Sequence, residues 1–151
     1  MTHSRHSDLG ERTFRFACDI VRFCRRISAE PGVVRQIAWQ LADAGTSVAA
    51  NYQEAKGAYS RREFAAKNCI VLKEARESRL WLRIILACGL VTEDEAKPLY
   101  DEADELVGIF TTGVRTLRGL STYTKVLLWV IIVAAISLGI AFRSSFSGFQ
   151  F

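Results

Sequence analysis

Asn51 and Glu54 stand three residues apart, as do Glu74 and Glu77, with Lys67 between the two pairs. On a helix that spacing puts each pair on one face. Carboxylates beside an amide and an amine could form a pocket for a ligand or a metal. They could also fix the register of packed helices, because polar groups removed from water must find partners. The metal version lacks its ligands. A carboxylate-bridged di-metal bundle needs Glu-x-x-His motifs, and the only histidines, His3 and His6, belong to a polar N-terminal stretch. Cys18, Cys24, Cys69 and Cys88 are scattered, with no Cys-x-x-Cys pair to begin a zinc site. They read as buried thiols of a reducing compartment. No glycine-rich phosphate loop, Gly-x-Ser-x-Gly elbow or Cys/His dyad can be written. The expectation is a non-enzymatic protein with no metal, no cofactor and no small-molecule substrate. The polar set is read as a register network of Asn51, Glu54, Ser60, Glu63, Lys67, Glu74 and Glu77, with a ligand pocket around Asn51 and Glu54 as the open alternative.

A second set could bind phosphate. The net charge is only +4, yet Arg12, Arg15, Arg22, Arg25 and Arg26 crowd one stretch, and Lys73, Arg76, Arg79 and Arg83 another. Glu93, Asp94, Glu95, Asp101, Glu102, Asp104 and Glu105 form the acidic counterpart. Two faces of opposite sign are expected, either solvated and used between subunits or, on the basic side, binding RNA. The candidate RNA-binding residues are Arg22, Arg26, Lys73, Arg76, Arg79 and Arg83. No aromatic platform is interleaved with them, so binding would be directed by phosphates and shape.

These residues need helices to hold them. The chain has 151 residues, half of them hydrophobic, enough for one domain and one core. Two prolines and ten glycines are too few for the turns of a sandwich or barrel. From Arg12 to Ile27, the apolar Phe16, Ile20, Phe23 and Ile27 recur at four, three and four residues, one face of a first helix. A second helix is expected to start near Pro31, which a first helical turn tolerates. Val34, Ala38, Leu41, Gly45, Val48, Tyr52, Ala55 and Tyr59 continue its seam at alternating four and three, and small residues in its middle invite close approach by a neighbour. Ser60-Arg-Arg-Glu63 has the form of a capping box, flanked by Tyr59 and Phe64 as a hydrophobic staple. The third helix therefore begins at Arg61, and it should end at Cys88-Gly89. Thr92 to Glu95 form a second capping box, opening a fourth helix to about Arg118 that bends or starts late at Pro98.

Four amphipathic helices joined by short connections predict an all-α, antiparallel up-down-up-down four-helix bundle. If the second and third helices reverse near residue 60, Glu54 faces Lys67 and Ser47 faces Glu74. The domains are a flexible tail at 1–11, the bundle at 12–118 and a hydrophobic extension at 119–151.

Ser47-Val-Ala-Ala-Asn51-Tyr52-Gln-Glu54-Ala55, then Ser60-Arg-Arg-Glu63-Phe64 with Lys67, then Leu72-Lys73-Glu74-Ala75-Arg-Glu77 with Trp81-Leu82, resemble in order and spacing the four-helix-bundle family of 23S-ribosomal-RNA intervening-sequence proteins. The likeness spans roughly residues 10 to 118. It implies a homo-oligomer, a pentameric barrel first of all, and a relationship to the accessory protein of diversity-generating retroelements, which binds RNA and a reverse transcriptase. It implies no catalysis.

The extension departs from that family. Between Lys125 and Arg143 lie seventeen uncharged residues, 126–142, eleven of them Val, Ile, Leu or Phe. A helix of that length spans about 26 Å, slightly short of the roughly 30 Å hydrocarbon core, and its side chains sum to about −3 to −7 kcal/mol of insertion tendency. A C-terminal membrane segment at 126–142 is expected, with the bundle kept cytoplasmic by Arg115, Arg118 and Lys125; a fifth helix packed in the oligomer is the alternative. The start of the chain has no signal-peptide core. The function read from all this is an oligomeric scaffold or adaptor that binds structured RNA or a ribonucleoprotein partner through basic helix faces. Its rival is a purely structural, membrane-anchored homo-oligomer.

Overall fold

In the computed structural model, Phe16, Ile20, Phe23 and Ile27 form the buried face of helix α1 (Leu9–Ile27). The structure describes residues 9–146, and at 120–125 and 138–146 the backbone only. The expected solvated His3 and His6, and most of the expected tail, lie outside the described residues. α1 begins three residues ahead of Arg12, because Gly10 and Thr13 are buried too and the Thr13 hydroxyl donates to the Gly10 carbonyl at 3.0 Å.

Helix α2 (Val33–Lys56) starts two residues later than expected. Gly32, at its N-cap, has φ +84°, outside the helical range that Pro31 would otherwise have entered. Its seam buries Ala38, Leu41, Gly45, Val48 and Ala55. Gly45 is the close-approach point: a Cβ there would lie 2.7 Å from Ile20 Cγ2 of α1. The seam stops at Ala55. Tyr59 follows the helix end at Gly57 and is 99% exposed, so the expected staple with Phe64 does not form.

Helix α3 (Arg61–Ala87) opens on Ser60, whose hydroxyl accepts from the Glu63 N–H at 3.1 Å. The Glu63 carboxylate reaches back one residue further than a standard box, to the Tyr59 N–H at 3.0 Å. α3 closes in a Schellman motif: Leu90 N–H donates to Ile85 O and Gly89 N–H to Leu86 O, with Gly89 at φ +61°. Helix α4 (Glu93–Phe146) begins ahead of Pro98, not after it. Of its expected capping box only part appears, since the Thr92 hydroxyl and N–H both donate to the Glu95 carboxylate, at 2.8 and 3.0 Å.

All described elements are helices, and none of the described residues forms a strand. Two compact units divide the chain, Met1–Val114 and Arg115–Phe151. In the first, α2 packs on α1 and on α3, and Ala96, Ala103, Leu106, Phe110 and Val114 of α4 complete one core. The Tyr52 and Phe110 rings meet edge to face at 5.5 Å. Each large side chain buried there, such as Ile20, Leu41, Leu82 or Leu106, contributes about 1.5–3 kcal/mol.

In the second unit the hydrophobic stretch is helical, as a continuation of α4 to Phe146 and not as a separate element. The membrane segment expected at 126–142 is not found either: among the described residues no helix is long and apolar enough to cross a membrane. Residues 138–142 of that expectation lie outside the described side chains.

Candidate nucleic-acid interface

The polar residues in the middle of α2 and α3 are not brought to one point. Glu54 accepts from Lys67 across the two helices, and this carboxylate raises the Lys67 pKa by its hydrogen bond and charge. The Asn51 amide turns back on its own helix to the Ser47 carbonyl at 2.9 Å. Glu74 pairs with its neighbour Lys73 at 3.2 Å, not with Ser47. Glu77 is half-buried and makes no hydrogen bond or ion pair among the described residues. Ser60 and Glu63 are spent on the α3 cap. Among the described residues no three His, Cys, Asp or Glu side chains gather as a metal site. The four cysteines are free thiols. Only Cys24 is buried, which pushes its pKa up to about 12; Cys88 is exposed, contrary to expectation, because it caps α3.

The basic residues are sorted more sharply than their sequence suggested. α4 lays its acids beside the arginines of α1 and α3, so the two faces of opposite sign become rows of cross-helix pairs. Arg12 grips Glu102 through Nε and Nη2 at 2.7 and 2.8 Å and reaches Glu105 as well. The Glu102 and then the Glu105 hydrogen bonds hold its pKa above the ordinary arginine value. Arg26 pairs with Glu95 at 3.1 Å and lies over the Phe23 ring at 5.6 Å. Arg22 pairs with Asp19 within α1, and Arg79 with Asp104 across α3 and α4. A groove of about 540 Å³ between α1 and α4 is lined by the Arg12 cluster and Phe16, and its charges are largely matched within it.

Among the candidate RNA-binding residues, Arg76 and Arg83 differ from Arg22, Arg26, Lys73 and Arg79: neither side chain makes a hydrogen bond or ion pair among the described residues, and both are exposed. With Arg79 they sit at three- and four-residue spacing along one side of α3. The three line a shallow cavity of about 240 Å³ together with Leu80 and Tyr100. Tyr100 was missed in the sequence. It belongs to the acidic stretch of α4, and only the packing of α4 on α3 carries its ring to the arginines.

The class of protein these features define is an all-helical bundle with matched charges across its helices and one basic site on α3. Residues 5–112 match the model of the 23S rRNA-intervening sequence protein family, and the chain belongs to that family. It is also similar to a protein of unknown function from the S23 ribosomal protein family of Bacteroides thetaiotaomicron, known as a crystal structure. That protein is 27% identical, with a TM-score of 0.64 over 70% of this chain and 97% of its own. No curated protein matches the chain.

Proposed function

We propose that this protein is a non-enzymatic, oligomeric scaffold or adaptor that binds structured RNA, alone or in a ribonucleoprotein, through the basic side of α3. One observation carries the reading: Arg76 and Arg83 stand exposed and unneutralised in a molecule whose other candidate cations, Arg22, Arg26, Lys73 and Arg79, are paired with acids. Like charges three and four apart on a helix repel by about 0.2–0.5 kcal/mol per pair, so the row works against helix stability and needs another use. An rRNA-associated family gives phosphate as that use.

The bundle is read as antiparallel, up-down-up-down. Support comes from cross-helix pairs whose numbers run in opposite directions, Arg12 with Glu102 and Arg26 with Glu95, and from Glu54 with Lys67. The family likeness favours a homo-oligomer, a pentamer first of all, and the free thiols favour the cytoplasm. A purely structural homo-oligomer is the second reading, favoured by the exposed apolar run from Val126 to Ile136, which asks for cover.

The test is binding of the full chain to a structured RNA at several salt concentrations. The logarithm of the affinity should fall linearly with log salt. Arg76→Gln with Arg83→Gln should lower the slope by about 1.4 to 1.8, the share of two phosphates. No binding at low salt would end the RNA reading and leave the structural one.

A further inference from the structure

Building on the RNA reading, we propose that the cavity of Arg76, Arg79, Arg83, Leu80 and Tyr100 is a seat for one unpaired nucleotide of the RNA. The base would lie against Tyr100 and the flanking phosphates on Arg76 and Arg83. Four features of the site select that ligand. The charge balance at the mouth is three guanidiniums against Asp104, which is already held by Arg79, so the site attracts anions and keeps two cations to meet them. Arg79 is tied to α4, which anchors the middle of the row while its neighbours stay available. Tyr100 is half-buried and packed against the core, so its ring is fixed in the cavity wall, and half-exposed Leu80 adds an apolar surface beside it. Lastly, about 240 Å³ is less than the roughly 300–1,000 Å³ of sites that enclose a whole small molecule. A cavity this small and open holds one unit of a larger chain. Duplex RNA presents phosphates but no free base face, whereas a bulge or loop offers both, and aromatic rings and guanidiniums are the side chains on which splayed bases stack.

The experiment compares, for the full-length protein, a hairpin RNA carrying a single-nucleotide bulge with a fully paired hairpin of equal length. The bulged RNA should bind more tightly by about 5- to 150-fold, the range that loss of one stacked base spans. Tyr100→Leu should abolish that preference, Tyr100→Phe should keep it, and Arg76→Gln with Arg83→Gln should weaken both RNAs. A thiouridine at the bulge, irradiated in complex with the wild-type protein, should crosslink to the peptide containing Tyr100; this readout stands even if Tyr100→Leu fails to fold. Equal affinity for the two RNAs, or a crosslink mapping away from the α3–α4 cavity, overturns the nucleotide seat and leaves the basic face intact. Absence of binding to either RNA at low salt overturns both.

Discussion

Gly45 is where α1 and α2 come close enough that a single methyl group matters. A Cβ there would meet Ile20 Cγ2 at 2.7 Å and Cγ1 at 3.0 Å, and Ile20 is fully buried and stiff at χ1. Overpacking of this kind costs about 1–3 kcal/mol, while replacing glycine by alanine inside a helix returns about 0.8–1 kcal/mol. Gly45→Ala should therefore destabilise by up to about 2 kcal/mol, read as a lower denaturant midpoint at unchanged m-value; an unchanged midpoint would mean that α1 moves aside freely. The thiols give a second test. Burial pushes Cys24 up to about 12, whereas Cys88 is exposed. An alkylating reagent should modify Cys88 first and Cys24 only on unfolding. The sign for stability follows from the raised value: the unfolded chain ionises Cys24 from about pH 8.5 and the folded one does not, so the Cys24 contribution is complete below that pH and is lost as pH rises toward 12. Cys24→Ala should flatten the alkaline limb of the stability curve. At this scale the sequence was legible where a residue's neighbours lay on its own helix. The buried face of α1 was readable for that reason, and the exposure of Cys88 was not, because it depends on where α3 ends: Cys88 follows the last residue of that helix.

The elements end where short-range chemistry tells them to. Ser60 and Glu63 start α3, and Gly89 at φ +61° closes it. Gly57, by contrast, ends α2 at φ −88°, a conformation open to any residue. The two glycines should therefore respond oppositely to alanine. Gly89→Ala should lower stability by about 1–2 kcal/mol through left-handed strain. Gly57→Ala should leave it unchanged or raise it by about 0.4–1 kcal/mol by restricting the unfolded chain. Thermal unfolding of the two variants side by side checks this, and equal losses would mean that Gly57 is held by contacts and not by backbone preference. Such caps are why most helix boundaries could be read in advance. The failures have the same origin. Tyr59 matched the seam spacing of α2, but the helix had already stopped, so spacing alone misplaced it. The end expected near Arg118 has no stop signal to enforce it: the only prolines are Pro31 and Pro98, and Gly119 alone does not end a helix.

At the scale of the molecule, the decisive contacts join residues that the sequence keeps far apart. Arg12 and Glu102 are separated by ninety positions, Arg79 and Asp104 by twenty-five, and Tyr100 reaches Arg76 and Arg83 only through the packing of α4 on α3. Periodicity places residues on faces but cannot say which faces meet. It therefore supplied the basic and acidic residues, but neither the pairs they form across helices nor the aromatic ring beside Arg76 and Arg83. The same limit applies to assembly. Phe14, Cys18 and Val21 form an outward stripe on α1 at four- and three-residue spacing, with Phe14 55% and Val21 47% exposed. That is the pattern of a seam between helices, and in a homo-oligomer its partner is another copy of this chain. Phe14→Glu combined with Val21→Glu should then bring the particle mass in analytical ultracentrifugation down to the 16.9 kDa of one chain while the far-ultraviolet dichroism stays helical, since neither side chain contributes to the core. A multiple of that mass surviving the double change would move the interface to another exposed apolar residue, Trp39 of α2 foremost, and a wild-type protein already at 16.9 kDa would end the oligomeric reading.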